Sequence, residues 1–199
     1  MHELQFREWL KHMVLREDLG PPGAMAAPVK PSIISAQEAM RIDLPREAVI
    51  SFDFDGTLTK WNQNQGGWYE VPFIPIIRDL KTWASKGHRC IVCTHRTQNL
   101  EGNPAFLGKG RDKMKVLDLI QDDVVPVQGN DILFTHMGDK GEILVGLAAR
   151  GLRVIMHYDD EMKNLTSVVK AGIIGVRVDP GPAPPKYVVP GDGQTPAAH

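Results

Sequence analysis

Two carboxylates, Asp53 and Asp55, stand two positions apart in the segment Asp53–Thr59 (D-F-D-G-T-L-T), directly after the apolar run Ala48–Phe52. Residues i and i+2 of a strand point to the same side, so both acids leave the run aimed at one place. Gly56 can turn the chain and let its backbone approach a ligand closely. Converging carboxylates repel unless a cation or a shared proton relieves them, and carboxylate oxygens suit Mg²⁺. The segment therefore predicts a Mg²⁺ site that also holds a substrate phosphate; an acidic hairpin turn without chemistry is the alternative.

The elements around this segment alternate between strand-like and helix-like patterns. Strands are predicted at 48–52, 89–94, 131–135, 152–157 and 173–178. Helical spacing of apolar residues covers 76–84, 114–120 with Asp112 as its cap, 143–148 after a start at Lys140, and 162–169, whereas 60–72 reads as irregular. This alternation predicts an α/β, Rossmann-like fold, a parallel sheet with helices on both faces. Ligands bind such sheets outside the carboxyl ends of the strands.

The flanks differ from this central region. Residues 1–19 carry the spacing of an amphipathic helix, 20–47 form a linker and lead-in segment, 48–178 form the domain, and 179–199 form a flexible Pro-rich tail. The N-terminal helix is expected to pack on its own domain or on a second subunit, which would make a homo-oligomer. Docking on another partner is the alternative.

Composition narrows the function classes. The chain of 199 residues has 23 basic and 24 acidic residues, so no bulk charge indicates a membrane or nucleic-acid partner. No signal peptide and no apolar stretch of membrane-spanning length is present, and we expect a cytoplasmic protein. Cys90 and Cys93 lie on a predicted strand, where positions i and i+3 face opposite sides, so they are interpreted as buried free cysteines and not as a metal or redox pair.

The D-x-D-G-T-L sequence after an apolar strand resembles the first signature of the haloacid dehalogenase (HAD) superfamily of phosphotransferases. The resemblance implies that Asp53 is a nucleophile that becomes a phospho-aspartate. It also implies that Asp55 protonates the leaving oxygen and then deprotonates the attacking water. Family members that cleave carbon–halogen bonds lack the second acid, so Asp55 favours phosphoryl chemistry.

Three further segments resemble the later motifs of this family, in the same order. Thr94-His95-Arg96 ends the second predicted strand, where the family has a hydroxyl that binds a phosphate oxygen. Lys140 opens a helix, where an ammonium and helix N–H groups can stabilise an anion together. Asp159-Asp160 follows the fourth strand and resembles the metal-binding acid pair, so the resemblance implies Mg²⁺ at Asp53, Asp55, Asp159 and Asp160. One acid of the pair would bind the metal and the other would orient water or Lys140. His136 and His157 are interpreted as structural hydrogen-bonding residues.

The spacing of these motifs bears on the substrate. Only 36 residues separate Thr57 from Thr94, and 45 separate Thr94 from Lys140, so a capless fold or a minimal cap is expected. Within the family, the chain is most similar to the 3′-phosphatase domain of polynucleotide kinase/phosphatases, although it has no G-x-x-x-x-G-K-[ST] loop. A nucleic-acid end could meet two groups of residues: the aromatic residues Trp61, Trp68 and Tyr69, and the basic cluster Lys109, Arg111, Lys113 and Lys115.

The predicted function is thus Mg²⁺-dependent phosphate release from a nucleic-acid 3′ end, with Asp53 and Asp55 catalytic and Thr94, His95, Arg96 and Lys140 binding the phosphate. A phosphatase of a small metabolite or nucleotide, and a catalytically silent interaction module, are the alternatives. The aromatic residues could instead pack under the loop, and the basic cluster could be a solvated helix face.

Overall fold

The structure is a computed structural model that describes residues 30–64, 67–96, 111–112, 115–121 and 125–183. The predicted N-terminal helix at 1–19 and most of the predicted tail at 179–199 lie outside the described residues, as do Lys109 and Lys113 of the basic cluster. Inside the described residues, no helix is long and apolar enough to cross a membrane.

A six-stranded parallel sheet forms the centre of the fold, which confirms the α/β, Rossmann-like prediction. Its strands are β1 Ile33–Ser35, β2 Val49–Phe52, β5 Arg89–Thr94, β7 Ile132–Phe134, β8 Val154–Asp159 and β9 Ile174–Arg177. They lie in the order β1-β9-β8-β2-β5-β7, and every neighbouring pair is parallel. Continuous apolar runs such as β2, which is buried along its whole length, are what a sheet covered on both faces requires.

Helices cover both faces of this sheet. They are α1 Ala36–Ala39, α2 Ile74–Ser85, α3 Val116–Gln121, α4 Lys140–Gly146, which continues as a 3₁₀ turn Leu147–Arg150, and α5 Met162–Lys170. The core on one face joins α1, α2 and α3 to sheet residues that include Phe52 and Cys90. The core on the other face joins α4 and α5 to residues that include Val49 and Cys93. Both cysteines are free and buried on opposite faces, as predicted.

A second sheet lies where the sequence predicted an irregular stretch at 60–72. That prediction is wrong, because β3 Thr59–Asn64 and β4 Gly67–Pro72 form an antiparallel hairpin, and β6 Arg111–Asp112 pairs parallel with β4. Asp112 is therefore a strand residue and not a helix cap, and α3 begins only at Val116. In the described part of the chain, this small sheet is the addition to the parallel core, in keeping with a minimal cap.

The edge strand β1, which comes first in the described part of the chain, was not predicted. β1 pairs with β9, and Ser35 caps α1 through a reciprocal pair of hydrogen bonds with Glu38. The sheet therefore takes in residues from the segment 20–47 that was interpreted as a linker and lead-in, while the wider division into segments stays a prediction.

Candidate active site

The carboxyl ends of β2, β5 and β8 bring the predicted motifs together. β2 lies between β8 and β5, which is the point where the strand order reverses. Asp53 follows β2 and its backbone N–H donates to the Tyr158 carbonyl of β8 at 2.8 Å. Thr94 ends β5 and Asp159 ends β8. The sheet topology therefore places three segments that are remote in sequence at one edge of the sheet.

After Asp53 the chain makes one wide turn, Phe54–Leu58, which the Thr59 N–H closes onto the Phe54 carbonyl. Gly56 has φ +74° in this turn, a conformation that residues with a side chain rarely adopt. A Cβ at Gly56 would lie 2.4 Å from Oδ2 of Asp160. The glycine therefore allows the turn after β2 to rest directly against the carboxylate that follows β8.

Gly56→Ala should lower both stability and cation affinity. We expect a loss of about 1–2 kcal/mol in the free energy of unfolding from the left-handed backbone. The methyl group should also displace the Asp160 carboxylate and weaken Mg²⁺ binding. Chemical denaturation and a Mg²⁺ titration measure the two effects, with Gly87→Ala as the control, since Gly87 also has φ +85° but nothing within 4 Å of an added Cβ. Equal Mg²⁺ affinity in both variants would contradict the role of the Gly56–Asp160 contact.

Lys140 lies between two acids at the start of α4. Its Nζ is 2.7 Å from Oδ1 of Asp53 and 2.7 Å from Oδ2 of Asp159, and its side chain is 1% exposed. Burial alone would lower the pKa of Lys140, but the two carboxylates outweigh it and raise the pKa, so the lysine stays charged. Lys140 thus lies in the cluster at the strand ends, and its phosphate-binding role stays a prediction.

The start of α4 is fixed by its packing on α5. Asp139 caps α4 by accepting from the Glu142 N–H at 3.0 Å, and it also accepts from the Ser167 hydroxyl at 2.5 Å. A Cβ at Gly141 would lie 2.7 Å from the Ser167 carbonyl oxygen, so the two helices meet at van der Waals distance there. This contact sets the position from which Lys140 reaches the acids.

Asp159 is fully occupied by donors from the protein. Besides Lys140, its Oδ2 accepts from Nε2 of His157 at 3.0 Å and from the Asn164 amide at 3.1 Å. Its Oδ1 accepts from the Glu161 N–H at 2.8 Å. Burial favours the neutral acid, but these hydrogen bonds and the Lys140 charge win and hold the pKa of Asp159 well below its usual range.

His157 supports Asp159 from behind. Because a carboxylate only accepts, His157 donates from Nε2, and its Nδ1 lies 3.1 Å from the Ser51 hydroxyl, which can donate to it. Burial lowers the pKa of His157 and keeps the ring neutral. The interpretation of His157 as a structural hydrogen-bonding residue is confirmed.

Asp53, Asp159 and Asp160 form the group of acids that could hold a cation, with one ligand oxygen from each within 4.8 Å of the others. Burial raises the pKa of Asp53 well above its usual range, and burial together with the Asp159 charge raises the pKa of Asp160 to about 6. Three carboxylates face one lysine, so a hard cation with oxygen ligands fits the excess negative charge. Since Asp159 already has donors on both oxygens, Asp53 and Asp160 offer the available ligand atoms.

Asp55 is the fourth acid that was predicted to bind the metal, and that role stays a prediction. Its carboxylate lies outside that group of three and accepts two hydrogen bonds from Arg96, at 2.8 Å to Nε and 2.7 Å to Nη2. The turn Phe54–Leu58 begins directly after Asp53, so Asp55 lies inside the turn and not in a strand, and the alternation that was expected to aim both acids at one point does not apply. The strand rule fails because the strand has already ended at Phe52.

The phosphate-binding residues predicted after β5 occupy three different environments. Thr94 is fully buried, and its hydroxyl accepts from the Arg96 N–H at 3.3 Å. His95 points toward the loop before α4, where its Nε2 donates to the Gly138 carbonyl at 3.2 Å. Arg96 turns to Asp55. The three residues thus lie next to the acids, while the side chain of His95 is engaged by backbone.

Sequence reasoning missed two residues of this site, Glu70 and Asn164. Glu70 accepts from Arg96 at 3.0 Å although it is carried by the unpredicted hairpin. Asn164 lies in α5, one turn after Asp160, with only 5% of its surface exposed. A buried asparagine on the apolar side of a helix was the one signal available, because Leu165 and Val168 flank it there.

The hairpin divides the three aromatic residues between its two faces. Trp61 is paired directly with Glu70, and Trp68 stands two residues before Glu70, so both share the face that reaches Arg96. Tyr69 lies on the other face, where its hydroxyl accepts from the Asn62 amide at 3.0 Å. Of the three aromatic residues, only Trp61 and Trp68 therefore lie on the face of the hairpin that reaches Arg96.

No protein-family model matches this chain, and no curated protein matches it in sequence.

Proposed function

We propose that this protein is a Mg²⁺-dependent phosphomonoesterase that works through a phospho-aspartate at Asp53. The observation that carries the proposal is the buried Lys140, which joins Asp53 to Asp159 at the point where the strand order reverses. A nucleophilic carboxylate must be ionised, and the burial that raises the pKa of Asp53 opposes this. The Lys140 charge offsets part of that cost where the reaction needs it. The presence of all the motif residues also speaks against a silent interaction module.

In the first step a carboxylate oxygen of Asp53 forms a bond to phosphorus while the bond from phosphorus to the ester oxygen breaks. Asp55, as the carboxylic acid, gives its proton to the departing oxygen. In the second step water attacks the phospho-aspartate, loses its proton to Asp55 and releases inorganic phosphate, which regenerates Asp53. Lys140 and the Thr94 hydroxyl would bind phosphate oxygens that carry the developing charge.

Mg²⁺ would be held by Asp53 and Asp160 and would neutralise charge on the transferring phosphate. Asp159 would keep Lys140 oriented. The excess of carboxylates over cations among the described residues of the site supports this assignment.

The proposed substrate is a nucleic-acid 3′-phosphate end. Trp61 and Trp68 lie on the face of the hairpin that reaches the Asp55–Arg96 pair, which is the side where the leaving oxygen would depart. Stacking of a base on an aromatic ring is worth about 1–3 kcal/mol. Among the described residues the addition to the parallel sheet is the small β3-β4-β6 sheet, and a polymer end would enter beside it. Binding of a small metabolite is the competing outcome.

Phosphate release from four substrates tests the proposal: 3′-phosphorylated oligonucleotide, the 5′-phosphorylated isomer, a nucleoside monophosphate and a sugar phosphate. We expect the 3′ oligonucleotide to have the highest kcat/KM, and Trp68→Leu to lower this value by about tenfold without affecting the sugar phosphate. A higher kcat/KM for either small substrate would favour the metabolite phosphatase, and no turnover with Mg²⁺ would contradict the proposed activity.

Mg²⁺ binding should depend on pH. The pKa of Asp160 is raised to about 6, so protons compete with the cation below that pH, and the apparent Kd for Mg²⁺ should rise about tenfold per pH unit there. At a hundredfold excess over Kd, Mg²⁺ should add about 2.7 kcal/mol to the free energy of unfolding at pH 7.5. Thermal unfolding with Mg²⁺ or EDTA measures both effects. The Asp160→Asn variant should lose the Mg²⁺ response, and a response that it keeps would remove Asp160 from the ligand set.

A further inference from the structure

The Arg96 guanidinium links the second acid to the hairpin. It donates from Nε and Nη2 to the two oxygens of Asp55 and from Nη2 to Oε2 of Glu70, at 3.0 Å. The plane of the group also lies over the Phe54 ring, with its central carbon 4.6 Å from the ring centroid. Contacts from two segments of the chain, the turn after β2 and the hairpin strand β4, therefore fix the place of one side chain.

Burial is distributed unevenly along this chain of contacts. The Asp55 side chain is 34% exposed, Arg96 is 14% exposed and Glu70 is 1% exposed. Asp55 thus lies at the solvent-facing end of these contacts, and Glu70 lies at the buried end. Burial of an unpaired carboxylate costs free energy. For Glu70, the ion pair with Arg96 offsets that cost.

We propose that Glu70 is a positioning residue, which sets the Asp55 carboxylate in place for proton transfer by holding Arg96. The inference rests on the proposed function of Asp55 as the group that protonates the leaving oxygen. The contact that carries this role is the one from Arg96 to Oε2 of Glu70, at 3.0 Å. The effect of Glu70 passes through the guanidinium, whose two hydrogen bonds to Asp55 fix the direction of that carboxylate. Misplacement of a reacting group by about 1 Å can cost a hundredfold in rate.

Through Glu70 the hairpin affects catalysis. β4 is not part of the parallel sheet, yet its Glu70 determines where an acid of the β2 turn points. A general loosening of the hairpin and the loss of this one contact should therefore differ in their effect. The first would disturb base stacking on Trp61 and Trp68 and slow the oligonucleotide, whereas the second would slow every substrate that needs a proton, including one without a base.

The test compares two substrates that differ in the leaving group. A sugar phosphate has a poor alkoxide leaving group and needs the acid, whereas p-nitrophenyl phosphate has a stable phenolate leaving group and needs little protonation, and neither substrate carries a base that could stack on the tryptophans. The quantity measured is kcat/KM, which covers the steps up to formation of the phospho-enzyme and so excludes the later attack of water. Glu70→Ala should lower kcat/KM for the sugar phosphate by about ten- to a hundredfold. It should change the value for p-nitrophenyl phosphate by less than about threefold, because that leaving group needs no acid.

Two variants serve as controls. Asn62→Ala removes the hydrogen bond to Tyr69 on the opposite face of the same hairpin and should leave the ratio of the two kcat/KM values unchanged. Glu70→Gln keeps an acceptor oxygen for Arg96 and should recover most of the activity on the sugar phosphate. Equal slowing of both substrates by Glu70→Ala, no slowing, or the same change of ratio in Asn62→Ala would each overturn the positioning role. Activity that survives in Asp53→Asn would instead contradict the proposed function.

Discussion

Asp53→Asn is expected to leave a folded protein whose turnover falls by about ten-thousandfold or more, because an amide cannot attack phosphorus. The same change removes a buried carboxylate whose pKa is raised by burial. A carboxyl group with a folded-state pKa above its unfolded value destabilises the folded protein at neutral pH, since ionisation is easier in the unfolded chain. In EDTA the variant should therefore unfold at the same temperature as the wild type or above it, as thermal unfolding would show.

Lost activity together with retained stability in Asp53→Asn would show that Asp53 acts in the reaction and is not needed to maintain the fold. Ser51→Ala is a suitable comparison, because it removes a buried hydroxyl behind the site, at 3.1 Å from Nδ1 of His157, and takes no part in the proposed reaction. It should cost about 1–2 kcal/mol of stability through the unpaired ring nitrogen. If Asp53→Asn retained substantial turnover, the covalent mechanism would be ruled out.

Lys140→Met should have the largest effect on stability. The lysine is the cation placed between Asp53 and Asp159, and removing one member of a buried ionic network costs about 3–5 kcal/mol because it leaves the opposite charge uncompensated. Turnover should fall by about a hundredfold or more as the phosphate loses a buried positive charge. Chemical denaturation in EDTA and steady-state kinetics measure the two losses.

Lys81→Met is the matched control, since Lys81 is exposed on α2 and its change should stay within about 0.5 kcal/mol. Combining Lys140→Met with Asp53→Asn should recover part of the lost stability, because one of the two uncompensated charges is then gone. Mg²⁺ should also stabilise Lys140→Met more than the wild type. A Lys140→Met protein as stable as the wild type would show that the buried ion pairs do not have the energetic role assigned to them.

The parallel sheet was predictable because its signals are local and strong. Buried runs such as Val49–Phe52 can be strands without reference to anything else, and glycines such as Gly151 and Gly172, both with positive φ, end the preceding helices. The hairpin was not predictable in the same way. Its strand Thr59–Asn64 (T-K-W-N-Q-N) is largely polar, and it is held by pairing with β4, which no local pattern reveals.

For the candidate site, the sequence was enough to predict which residues lie close together. Asp53, Thr94, Lys140 and Asp159 gather at one edge because parallel strands end together. The partners of each side chain could not be read from the sequence. Asp55 turns to Arg96 because the backbone leaves the strand conformation before it, and the separate tasks of Asp159 and Asp160 follow from the donors around each oxygen. These are tertiary contacts without a local pattern.

The close approach of α4 and α5 has a consequence for variation in this protein. Gly141 and Ser167 perform no chemistry, yet the space between them determines where Lys140 begins its reach toward the acids. Any larger residue at Gly141 would push the helix start away from α5 and carry the lysine with it. In a library of random variants, position 141 should therefore tolerate as few residues as position 140, although its own atoms never meet a substrate.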